Sequence, residues 1–123
     1  MTIDQAELEG YRVGLRRREA AYLDARRERR SRAMVAARAG AELLRTSFGA
    51  SRVVVFGSAA DTDGYFDAGS DIDLAAWGIA DDDYFLAVAK LQDVSAEFSF
   101  DLIAMERCPE HLRSGIGAHS VAM

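Results

Sequence analysis

A chain of 123 residues, half of them hydrophobic, is one domain's worth: long enough for a modest core and too short to hold a second catalytic domain. The single cysteine, Cys108, excludes an internal disulfide framework, and no apolar run approaches a membrane span or a signal-peptide core, so a cytoplasmic protein is expected. The net charge of −5 hides an asymmetry, because residues 1–52 hold 12 Arg against 7 acids while residues 53–123 hold three basic residues against 13 acids.

The basic part, from about Ile3 to Ser47, lacks proline and is rich in Arg, Ala, Glu and Leu, which predicts one long helix or two consecutive ones. Tyr11, Leu15, Tyr22, Met34, Leu43 and Leu44 fall loosely on one helical face, while Gly10, Gly14 and Gly40 are places where it could break or kink. Arg16-Arg17-Arg18 and the cluster Arg26, Arg27, Arg29, Arg30 and Arg32 suggest a surface for nucleic acid or an acidic partner. Glu19, Asp24 and Glu28 are interleaved with them, however, and no aromatic platform accompanies them. A solvated, locally paired face is the preferred reading, direct nucleic-acid binding is not expected, and a protein contact stays open. Gly49-Ala50-Ser51 ends the arm, so the chain divides into a helical arm, 1–47, and a body, 48–123.

The body reads strand, turn, strand, helix, strand. Val53 to Phe56 is a buried strand that stops at Gly57-Ser58, where a glycine lets backbone approach a ligand closely and the following turn offers N–H groups to an anion. In Ser70-Asp71-Ile72-Asp73-Leu74 the alternation puts both aspartates on one face of a strand and the apolar residues on the other. Two carboxylates so placed repel each other unless a cation lies between them, and hard oxygen donors suit Mg²⁺ shared with substrate phosphates. Phe98 to Ile103 is a further strand with Asp101 as its one charge. Should it lie beside the Asp71/Asp73 strand, three carboxylates converge, enough for two-metal phosphoryl chemistry.

Gly57-Ser58, Asp71-x-Asp73 and the distal Asp101 together resemble the Gly-Ser, Asp-x-Asp and third-Asp signature of the DNA polymerase beta-like nucleotidyltransferase superfamily. The nearer likeness is to its small prokaryotic members, the minimal nucleotidyltransferases, over about Val53 to Ile103. The resemblance implies an α+β fold, a long helical arm before a small mixed sheet with flanking helices. It implies that Gly57, Ser58 and Ser70 meet the nucleotide, that Asp71 and Asp73 ligate Mg²⁺, and that Asp101 completes the metal site and assists the incoming hydroxyl. It further implies ATP as substrate, AMP transfer to a hydroxyl of a partner protein, and a role as antitoxin to a HEPN-type toxin. Relatives often carry an Arg two residues after the Gly-Ser serine; here Ala60 stands there, and Asp61, Asp63 and Asp67 crowd the same loop. Coulomb repulsion should then weaken nucleotide affinity. An antitoxin that neutralises its toxin by binding, with little or no catalysis, is the alternative. A separate acceptor-binding domain of the kind small-molecule transfer needs has no room here.

The remaining features have plainer readings. Asp81-Asp82-Asp83 suits a helix N-terminus, where acids complement the dipole and cap free N–H groups, followed by Tyr84, Phe85, Val88 and Leu91 packing on the sheet. Trp77 belongs to core or rim rather than to an adenine platform. Asp61-Thr62-Asp63-Gly64 invites a calcium loop, but aligning Gly64 with that loop's glycine puts Ala59 and Ser70 where acids are required. Cys108 reads as a buried structural thiol. Pro109 can open a last helix, which Gly115 and Gly117 make doubtful, with His111 and His119 as surface residues. Nucleotide base, acceptor residue and oligomeric state are not encoded in these motifs.

Overall fold

The computed structural model describes residues 4–61, 66 and 69–123; of the loop acids, Asp63 and Asp67 lie outside this set, as do Thr62 and Gly64 of the rejected calcium loop. The arm is one continuous helix, α1, Gln5–Phe48, 44 residues long or about 66 Å at 1.5 Å per residue. Asp4 caps its start by accepting from the backbone N–H of Ala6 and Glu7, and Gly49 ends it in the left-handed region at φ 72°. The helix runs unbroken through all three glycines. At Gly40 the reason for a glycine is tertiary, since an added Cβ would lie 3.0 Å from Phe100, 3.2 Å from Leu91 and 3.3 Å from Leu74.

The body is a four-stranded mixed sheet in the order β3-β2-β1-β4, built from β1 Arg52–Phe56, β2 Ile72–Trp77, β3 Phe100–Ala104 and β4 Val121–Ala122. β2 is antiparallel to β1 and parallel to β3, and the crossover to β3 is α2, Tyr84–Gln92. β4 was not foreseen: it is two residues long, pairs antiparallel with β1, and continues in the bond from Met123 N–H to the Val53 carbonyl. Arg45 of α1 donates to the Met123 carbonyl as well.

Strand alternation sorts the residues onto two faces. Val53, Val55, Ile72, Leu74, Ala76, Phe100 and Leu102 form the main core with Ala33, Ala37, Ala41 and Leu44 of α1 and Ala87 and Leu91 of α2. On the opposite face Val54 and Ala75 meet Met105, Cys108 and Ile116, the last from α3, Glu110–Ala118. α3 follows Pro109 and stays helical through both glycines. Two expectations for α2 need correction. Phe85 is 81% exposed and edge-on to Tyr84, because positions 84, 87, 88 and 91 make the buried stripe and residue 85 lies about 100° away from its start. Asp81–Asp83 form a 3-10 turn ahead of α2 without side-chain capping bonds; Asp81 instead pairs with Arg107 at 2.8 Å, which holds its carboxyl below the usual range.

The arginines at the root of α1 turn toward the body rather than to solvent. Arg32 bonds both carboxylate oxygens of Glu97, and Arg29 lies over the Phe98 ring at 4.9 Å, itself 5.7 Å from Phe66. The predicted local pairing holds further out, at Arg27 with Asp24. Trp77 is at the rim with the Arg52 guanidinium over its ring, at the end of β2 remote from Asp73.

Candidate functional site

Asp73 and Asp101 occupy the same register position on parallel neighbours β2 and β3, on the sheet face away from α1. Adjacent strands are about 4.8 Å apart, so the two side chains are direct neighbours. Asp71 precedes β2 and acts on the same group. Partial burial first, then the charges of Asp101 and Asp71, push the Asp73 carboxyl up to about 6. Asp73 therefore feels both of the other predicted carboxylates. Among the described residues, however, no three His, Cys, Asp or Glu side chains are grouped closely enough to hold a metal ion as they stand.

Gly57 sits across from this pair. β1 brings Phe56 into register with Asp73, and the chain then enters a 3-10 turn, Gly57–Ala59, with Gly57 at φ 70°. A Cβ at position 57 would collide with Oδ2 of Asp73. The missing side chain is what lets the turn lie this close to that oxygen. The donors are hard carboxylate oxygens that repel one another, and one of them packs against a turn that carries no side chain. In kind they fit a divalent cation, once Asp71 and Asp101 are drawn in toward it.

Two positioning groups escaped the sequence reading. Arg30 donates from Nε to the Ala59 carbonyl at 2.9 Å, anchoring the Gly57 turn to α1 from 29 residues away. Gln92, the last residue of α2, donates to the Phe100 carbonyl at 2.9 Å and accepts from the Phe100 N–H at 3.1 Å. β3 is an edge strand, so these groups have no strand to bond on that side. Gln92 supplies the pairing immediately before Asp101. No local pattern marks either residue; both act through contacts that exist only after folding.

The histidines are exposed, as the sequence reading expects. His111 and His119, with Leu112, Gly115 and Ile116 of α3, wall a cleft of about 320 Å³ whose other side is Phe56 and Gly57. It opens beside the Gly57 turn. Cys108 is buried in the second apolar cluster, as expected of a structural thiol. Among the described residues no helix is long and apolar enough to cross a membrane.

No protein-family model matches the sequence, and no curated protein matches it. Among solved structures, the chain is similar to one in a crystal structure of a mutant toxin-antitoxin MntA-HpeT, with a TM-score of 0.55 and 16% identity, over 66% of each chain. At that identity the likeness concerns architecture. The long helix, the small mixed sheet and its flanking helices make an α+β fold similar to that structure.

Proposed function

We propose that this chain is a minimal nucleotidyltransferase that acts as the antitoxin of a toxin-antitoxin pair, moving AMP from ATP to a hydroxyl of its partner, a HEPN-type toxin. The observation that carries the reading is the register of Asp73 with Asp101 beside a glycine turn that lies against Asp73 Oδ2 more closely than any residue with a Cβ could. The toxin-antitoxin description of the similar structure supports the biological setting.

In this reading Gly57, Ser58 and Ser70 bind the phosphates, and Asp71, Asp73 and Asp101 hold Mg²⁺. The metal, when bound, neutralises phosphate charge and stabilises the developing charge of in-line displacement. The chain's own residues do the rest. The Gly57 turn presents backbone to the triphosphate, and Arg30 fixes its orientation. Asp101 takes the proton of the attacking hydroxyl as its oxygen bonds to the α-phosphorus and the bond to the β-phosphate breaks, releasing pyrophosphate. The cleft beside Gly57 receives the base or the acceptor side chain. A cytoplasmic location is part of the same proposal.

Ala60 and the open spacing of the carboxylates favour a second reading, an antitoxin that neutralises by contact with weak catalysis. One experiment separates them: the intact mass of the partner that co-purifies with the chain, before and after Mg²⁺ and ATP. A gain of one or more adenylates, lost in Asp73→Asn, supports transfer. Tight binding with unchanged mass rejects transfer and leaves neutralisation by contact.

A further inference from the structure

The face of α1 that packs on the body does not stop where the body does. At 100° per residue, Leu8, Tyr11, Leu15 and Tyr22 all fall within about 40° of the line through Ala33, Gly40 and Leu44. The C-terminal members of this stripe are buried, whereas Tyr11 is 62% exposed, Leu15 45% and Tyr22 57%. Glu19 and Arg26 fall within the same band of about 40°, and the Arg26 guanidinium lies 5.7 Å from the centre of the Tyr22 ring, so over residues 5–28 the stripe is mainly apolar and exposed, with two charged side chains in it.

We propose that the arm's apolar seam is covered by the arm of a second copy of this chain, the two running antiparallel and centred on Leu15. The seam is self-complementary in that arrangement. Leu15 meets the partner's Leu15, and Leu8 meets the partner's Tyr22. Arg12 and Glu19 lie on the same flank of the seam, about 60° and 40° from Leu15. An antiparallel pair brings like flanks together, so Arg12 faces the partner's Glu19 and Glu19 the partner's Arg12. In the single chain Arg12 rests on Glu9 at 3.3 Å, an exposed pair that exchanges at little cost.

The lengths agree. With Leu15 at the centre, the two-fold overlap within α1 spans residues 5–25, about 32 Å. The partner's first helical turn then ends just before Arg29, Arg30 and Arg32 begin their grip on the body. An acidic helix of another protein is the competing occupant, since Arg12 and Arg18 flank the seam about 60° to either side of Leu15.

The test uses the full chain. Light scattering on the purified protein is expected to give a dimer, and Leu15→Glu to give a monomer with the body's thermal transition unchanged, because two carboxylates then oppose each other at the centre. Arg12→Glu is expected to weaken the dimer at least about tenfold, through like-charge opposition across the seam, and Arg12→Glu with Glu19→Arg to restore it. Orientation is read by mixing Leu8→Cys with Tyr22→Cys, each in a Cys108→Ala background: a disulfide between the two variants supports antiparallel pairing, and only Leu8 homodimers overturn it. A monomer at all concentrations, a dimer indifferent to Leu15→Glu, or an arm that orders only with a different protein also overturns the proposal.

Discussion

Gly57 and Asp73 are matched in shape: one lacks the carbon that the other's Oδ2 would strike, and residue 57 holds a positive φ that glycine alone adopts without strain. Gly57→Ala therefore adds a clash and about 1 to 2 kcal/mol of backbone strain. We expect a lower Tm and loss of Mg²⁺-dependent ATP binding by calorimetry. Retained binding at wild-type affinity would remove Gly57 from the site.

The raised Asp73 carboxyl makes metal-free stability depend on pH. Folded, it titrates near 6; unfolded, near the ordinary aspartate value of about 4. Across that interval the folded chain binds more protons, so this group's contribution falls as pH rises from about 4 to about 6 and stays unfavourable above. Melts of wild type and Asp73→Asn in the presence of chelator, from about pH 4 to 8, are expected to diverge in favour of the variant as pH rises. Mg²⁺ should narrow the gap in the wild type alone.

Gln92 pairs both backbone groups of Phe100 on the exposed side of β3. Gln92→Met leaves them unpaired while keeping the bulk, at a cost of about 1 to 3 kcal/mol. The accompanying loss in transfer rate is expected to be in kcat more than KM, because Asp101 moves while the Gly57 turn does not. An unchanged urea midpoint would contradict this.

Gly40 is packed against three core side chains at 3.0 to 3.3 Å. Helix propensity favours Gly40→Ala by about 1 kcal/mol, but overpacking costs about 1 to 3 kcal/mol. Net destabilisation is expected by chemical denaturation. A gain would show that α1 can shift on the sheet.

Much of this arrangement was legible before folding because strand alternation is local. The i, i+2 spacing of Asp71 and Asp73, the lone charge of Asp101 and the Gly-Ser stop after Phe56 are all local features, although β2 begins only at Ile72 and leaves Asp71 just before it. Neighbouring strands then needed just one further inference, that β3 sits beside β2. What stayed hidden depends on partners far apart in the chain. Arg29, Arg30 and Arg32 read as a solvated face because Glu97, Phe98 and Ala59 are not near them in sequence. β4 is too short for a pattern, and the glycines of α3 suppressed a helix that Ile116 secures by burial. Phe85 was misplaced for the opposite reason, its hydrophobicity outweighing its angle on α2.

The continuity of α1 gives the molecule a mechanical character. A stiff rod about 66 Å long rests on the sheet at Ala33, Ala37 and Gly40, small residues that serve as a fulcrum. One end reaches free of the body, and beside the fulcrum Arg30 is fastened to the turn over Asp73. Force applied to the far end arrives at that turn as leverage, with no proline to absorb it. The Arg30 bond to the Ala59 carbonyl is the point at which arm and site are joined.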